Sequence, residues 1–144
     1  MDAKEVGQII LATTKDLQGW DGVIDIALVG SALYMPAEKI GDVDFVVLLA
    51  AGNDALQYID DTIKDAGWEW CGEYDTQGGE WGAIRSGPVN LIVTHSREFF
   101  DGFRAAAEVC KALRLGSKLD RMIVHRVVRD GLSADEARAA VGAP

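Results

Sequence analysis

A chain of 144 residues, 49% hydrophobic and 26% charged, has the composition of a folded globular protein and the length to bury one core. A formal net charge of −9 argues against broad, nonspecific nucleic-acid binding, which needs cationic neutralisation of phosphates, but leaves room for a local basic pocket. The two cysteines, Cys71 and Cys110, lie far apart without a CxxC partner or histidine pair, which argues against a zinc site or disulfide framework and favours small buried apolar residues.

Asp2, Lys4 and Glu5 come at once, which is no secretory pattern, and the longest apolar run, Phe45 to Ala51, is too short to span a bilayer. The expectation is a soluble, cytoplasmic protein with no membrane partner. Val6, Ile9, Ile10, Thr13 and Leu17 recur at helical spacing, with Asp2 to cap and Gly19 to stop, predicting a helix over Ala3 to Gln18. Val23 to Val29 reads as a strand ending at Gly30, and Ser31 to Met35 as a helical turn before Pro36. Asp42 to Leu49 is a second strand whose last five residues are all apolar, so it is expected in mid-sheet, covered on both faces.

Asn53 is expected to cap a helix carrying Leu56, Ile59, Ile63 and Ala66 on one side, stopped by Gly67. Three shorter strands follow, Trp68 to Tyr74, Glu80 to Arg85 and Val89 to Thr94. The turn residues "DTQGG" and "SGP" between them predict an antiparallel meander. Ser96 to Leu113 and Lys118 to Val128 read as helices, and Ser133 opens a last one with Glu136 as its capping-box partner. Without repeats, low-complexity stretches or linkers, the expectation is one α/β (α+β) domain over residues 1–144, a mixed sheet flanked by helices rather than a doubly wound parallel sheet.

The stretch "VGSALYMPAEKIGDVDF" carries the chemistry. Side chains two apart on a strand share a face, so Asp42 and Asp44 project together while Val43 and Phe45 pack behind them. Like charges at that separation raise each other's pKa unless a cation sits between them. Hard oxygen ligands without histidine or cysteine suit Mg2+ or Mn2+. Gly30 lets the backbone approach a ligand closely, and Ser31 offers an N–H and a hydroxyl at a helix start, an arrangement suited to phosphate. Phosphate with a divalent metal means nucleotide chemistry. The plain alternative, a loop followed by a solvated strand start, leaves the spacing unexplained.

"VGS", ten residues, then "DVDF" is similar to the signature of the DNA polymerase beta-like nucleotidyltransferase superfamily: hydrophobic, Gly, Gly or Ser, a spacer, then Asp, hydrophobic, Asp or Glu. The resemblance spans Val23 to Thr94, and "RSGPVNLIVT" and "CKALRLGSK" resemble small stand-alone, phage-encoded members, which would work in the host cytoplasm. It implies that Gly30 and Ser31 hold the β/γ-phosphates of a nucleoside triphosphate and that Asp42 and Asp44 ligate Mg2+ during in-line attack on the α-phosphate, with pyrophosphate leaving. The family adds a third carboxylate from a later strand. The matching strand here is "VNLIVT" and the matching position is Asn90, a neutral ligand and a poor base.

No obvious substitute stands nearby: Asp25 lies about 17 Å down its strand from Gly30, and Glu73, Asp75 and Glu80 sit around a loop. Arg85, before the "SGP" turn, is a candidate to reach a triphosphate or an exposed hairpin arginine, with equal weight. Lys111, Lys118 and Arg121 sit on late helices that could close over a nucleotide, although charged helix faces are more often solvated. His95 has no Ser or Cys partner, which speaks against a catalytic dyad, and His125 reads as a core-edge histidine. Trp68, Trp70 and Trp81 read mainly as sheet packing, although one could stack on a base.

The expectation is therefore a nucleotidyltransferase-fold protein that binds a nucleoside triphosphate with Mg2+ and, if active, moves a nucleotidyl group onto an acceptor hydroxyl. The alternative is a catalytically silent nucleotide-binding or regulatory member acting on a protein partner or as a homo-oligomer. A third reading is a small nucleotidyltransferase paired with a toxin-like partner. Whether the chain is an enzyme turns on Asn90.

Overall fold

The computed structural model describes residues 1–143; Pro144, the last residue of the expected domain, lies outside the described residues. The opening helix, α1 (Ala3–Gln18), starts where a capping box makes it start. Asp2 accepts from the Glu5 N–H at 2.8 Å, and the Glu5 carboxylate accepts from the Asp2 N–H at 3.3 Å. Strand β1 (Val23–Val29) follows, then two single 3₁₀ turns over Ser31–Leu33 and Ala37–Lys39, and strand β2 (Val43–Leu49). Helix α2 (Ala55–Ala66) ends on Gly67 in the left-handed conformation.

The meander is β3 (Glu69–Tyr74), β4 (Trp81–Ser86) and β5 (Val89–Thr94), and the chain closes with α3 (Arg97–Leu113), α4 (Lys118–Val128) and α5 (Ala134–Ala140). Ser133 and Glu136 form the expected capping box on α5. The sheet runs β1-β2-β5-β4-β3, antiparallel throughout except for the parallel pair β2–β5. The described residues form a mixed five-stranded sheet with five α-helices, the α/β (α+β) architecture expected from the pattern.

Strand β2 is covered on both faces. Val43, Phe45, Val47 and Leu49 meet Leu17 of α1 and Ile59 of α2 on one side, while Val46 and Leu48 meet Phe100 and Ala107 of α3 on the other. Full burial of such side chains contributes roughly 1.5–3 kcal/mol each relative to exposure, so this alternation fixes the register of β2. It thereby decides which way Asp44 points: to the α3 side, with Val46 and Leu48.

Two sequence expectations are corrected here. The cap of α2 is Asp54, whose carboxylate accepts from the Gln57 N–H at 2.9 Å; Asn53 instead donates from Nδ2 to the Ala50 carbonyl at 2.9 Å, bracing the turn after β2. Cys110 is buried as expected, but Cys71 is exposed, because β3 is an edge strand with exposed residues throughout. Among the described residues no helix is long and apolar enough to cross a membrane.

Candidate functional site

The strand register assembles the site. Val29, Asp44, Asn90, Arg85 and Glu69 are successive cross-strand partners on β1, β2, β5, β4 and β3, forming one row across the whole sheet. In-register neighbours share a face, so the row's side chains stand together on the α3–α4 side. Asp42, just before β2 and two residues from Asp44, joins them. A cleft of about 1220 Å³ opens over this row, and Gly30, Ser31, Asp42, Asp44, Arg85 and Asn90 all line it. The six residues chosen from the sequence are thus brought to one place.

Their polar groups form a chain. Arg85 Nη2 donates to Asp42 Oδ2 at 3.2 Å, Arg85 Nε donates to Asn90 Oδ1 at 2.8 Å, and Asn90 Nδ2 donates to Asp44 Oδ1 at 2.8 Å. Burial raises the Asp44 carboxyl above its ordinary value. The Asn90 hydrogen bond opposes that, the Asp42 charge adds to it, and the Arg121 and Arg85 charges oppose it. Gly30 sits at φ 70°, ψ −159°, a conformation essentially restricted to glycine, and a Cβ there would overlap Asp44 Oδ2. The turn after it, Ser31–Leu33, has only three residues. It is too short to offer a helix N-terminus, so the expected helix start at Ser31 reduces to its own N–H and hydroxyl.

The opposite wall is α4. Lys118, Arg121, His125 and Arg129 follow one another at three- and four-residue spacing and all line the cleft. Arg121 Nη1 donates to the carbonyls of Leu115 and Gly116, both at 3.3 Å, and Tyr34 donates to the Leu115 carbonyl, tying the loop after Gly30 to the α3–α4 connection. Arg129 lies over the rings of Phe99 and Phe103, 5.3 and 5.6 Å from their centroids. Phe103, Arg126, Arg129 and Lys39 also line the cleft, and the sequence reading missed them. The α4 stripe was legible as helical spacing, whereas Phe103 on α3 and Lys39 reach the cleft only through tertiary packing.

His125 packs against Phe103 with ring centroids 4.6 Å apart, and its Nδ1 is buried with no hydrogen-bond partner. Burial, reinforced by the Arg129 charge, pushes its pKa down to about 4 from 6.5. The unfolded chain therefore binds this proton more readily than the folded one between those values, and stability falls as pH drops from about 6.5 to about 4, by at most on the order of 3 kcal/mol. His125→Phe is expected to flatten that limb of a melting-temperature profile. An unchanged slope would show that another group governs it.

Of the other candidates, Glu73 and Trp70 also line the cleft, from edge strand β3, while the rest lie elsewhere or are already engaged. His95 Nδ1 accepts the Ala55 N–H at 3.0 Å, serving the first turn of α2. Asp25 faces Arg97 and Arg104 at 3.8 and 3.9 Å, and Asp75 accepts three backbone N–H groups in the β3–β4 turn. Lys111 is an exposed residue on the last turn of α3. Trp81 stacks on Phe99 and Trp68 meets Trp20 edge-on, as sheet packing requires. Among the described residues no group of three or more His, Cys, Asp or Glu side chains is placed to hold a metal ion.

No family model matches the chain, and no curated protein matches it. Among solved structures it is similar to the crystal structure of conserved protein GrpB from Enterococcus faecalis, with a TM-score of 0.44 and 13% identity, covering 93% of this chain and 88% of that one. A likeness at that level carries no argument about function.

Proposed function

We propose that the cleft binds a nucleoside triphosphate together with Mg2+ or Mn2+, in a nucleotidyltransferase-like fold, and that the protein holds this ligand without an efficient transfer step of its own. The observation that carries the reading is where the positive charge sits. In a chain of net charge −9, six of the fourteen lysines and arginines (Lys39, Arg85, Lys118, Arg121, Arg126 and Arg129) line the same cleft as Asp42 and Asp44. Basic walls around an acidic pair suit a polyanion that arrives with its own cation.

The donor set fits that cation. Mg2+ is commonly held by one or two carboxylates, completed by phosphate oxygens and water, so a two-aspartate site suits a metal delivered by phosphates rather than one caged by protein alone. When bound, the cation would neutralise charge on the phosphates. The chain's own residues do the rest. Ser31, beside Gly30 in the cleft lining, offers its N–H and hydroxyl to phosphate oxygens, and Lys118 and Arg121 face the cleft from α4. Asn90 occupies the row position beside Asp44 and cannot accept a proton from an attacking hydroxyl. That favours the silent, ligand-holding member over the active transferase.

Calorimetry tests this directly. ATP or another triphosphate is expected to bind at least about tenfold more tightly with Mg2+ than with EDTA, and Asp42→Asn with Asp44→Asn is expected to abolish the difference. The Asn90 bond to position 44 survives in that variant, so its melting temperature should match or exceed that of the wild type without metal. A double variant that binds the metal–triphosphate as well as the wild type would remove the site from consideration.

A further inference from the structure

Arg85 holds the place that a cation between the two aspartates would compete for. Its guanidinium donates to Asp42 Oδ2 and to Asn90 Oδ1, and Asn90 in turn donates to Asp44 Oδ1, so Arg85 engages Asp42 directly and Asp44 only through Asn90. Resting on the proposed metal–triphosphate site, we infer that Arg85 is an internal counter-cation that couples the two parts of the ligand: it holds Asp42 against free metal and leaves it for the phosphates when both arrive together.

Metal and phosphate compete for different partners in the Arg85–Asp42 pair. A divalent ion taking Asp42 Oδ2 must displace the guanidinium and then repels it at short range, with nothing offered in return. A polyphosphate supplies oxygens to which a planar guanidinium donates in pairs, a better partner than a single carboxylate oxygen. The latch is light enough to open. The side chains of Arg85 and Asp42 are 53% and 47% exposed, and ion pairs at such exposure typically contribute no more than about 1 kcal/mol. Arg85 also sits two strands from Asp44 in the row, with Asn90 between them, so its head can leave Asp42 without disturbing the β2–β5 pairing. Coupling of this kind is reciprocal: whatever metal gains from phosphate, phosphate gains from metal.

Arg85→Gln separates the two halves because its effects have opposite sign. Mn2+ alone is expected to bind the variant about fivefold more tightly than the wild type, the equivalent of removing one exposed ion pair. Inorganic tripolyphosphate in EDTA is expected to bind the variant more weakly. Arg85→Lys, which keeps the charge but loses the paired donors, should leave Mn2+ affinity near wild type and still weaken tripolyphosphate. A merely structural arginine would weaken both ligands together, and that result overturns the inference. So does equal Mn2+ affinity in the wild type and Arg85→Gln, or no Mn2+ binding by either. The Asp42→Asn, Asp44→Asn comparison with metal–triphosphate reads the underlying site separately, so failure of the latch and failure of the site are told apart.

Discussion

Asn90→Asp is expected to raise Mn2+ affinity and to create or increase pyrophosphate release by about a hundredfold or more, the usual worth of an added general base or metal ligand. Asn90 faces Asp44 directly across the β2–β5 pair, with Nδ2 2.8 Å from Asp44 Oδ1. A carboxylate there stands in the row with Asp44, where the resemblance implies a third acidic residue. It also gives Arg85 Nε a charged acceptor in place of an amide oxygen, drawing the guanidinium away from Asp42. Both changes favour a bound cation.

The same substitution has a cost that can be read without any activity. It exchanges a donor for a second carboxylate at hydrogen-bond distance from a carboxyl that burial already raises. Without metal the pair holds a proton that the unfolded chain releases above its ordinary carboxylate range. An acid whose folded pKa lies above its unfolded value loses stability as pH rises between the two. The metal-free variant should therefore melt below the wild type at neutral pH, by a smaller margin near pH 4, and Mn2+ should close the gap. Wild-type turnover that falls in Asn90→Asp would instead make asparagine the working residue of an altered mechanism. A variant with unchanged metal affinity and turnover would place Asn90 outside the site.

What the sequence disclosed follows from which interactions are local. The bounds of α1 were legible because Asp2 and Glu5 cap it within one turn, and those of β1 and β5 because Gly30 and the "SGP" turn end or begin them. The cap of α2 was not, since Asn53 and Asp54 are both capping residues and the choice depends on Asn53 reaching back to Ala50. The exposure of Cys71 depends on β3 lying at the sheet edge, and strand order is absent from a hydrophobic pattern.

The site divides in the same way. Strand parity was enough to put Asp42 and Asp44 on one face. That Asn90, Arg85 and Glu69 extend Asp44 into a single row required the parallel β2–β5 register, and a parallel pair is joined by a long crossover whose length says nothing about alignment. The basic face of α4 was written in its own spacing, but its position over the aspartates comes from how α3 and α4 pack against the sheet.

Gly30→Ala is expected to destabilise the protein by about 2–4 kcal/mol in urea unfolding, and part of that loss should belong to Asp44. From the sequence the glycine has a reason outside the protein, close approach of phosphate. The structure gives it two reasons inside. Its φ of 70° with ψ of −159° disfavours any side chain, at about 1–3 kcal/mol, and a Cβ would overlap Asp44 Oδ2 and lie 3.2 Å from Asp44 Cγ. Binding and stability should therefore fall together. A double-mutant cycle separates the two contributions. In an Asp44→Ala background the carboxylate is gone while the backbone conformation at position 30 is still required, so Gly30→Ala should cost about 1 kcal/mol or more less there than in the wild type. Equal costs in both backgrounds would mean that Gly30 does not make room for Asp44, and that backbone conformation alone selects the glycine. A smaller cost beside Asp44→Ala would show that the bare turn after β1 and the buried carboxylate on β2 are one construction, in which the glycine is what lets Asp44 stand at the floor of the cleft.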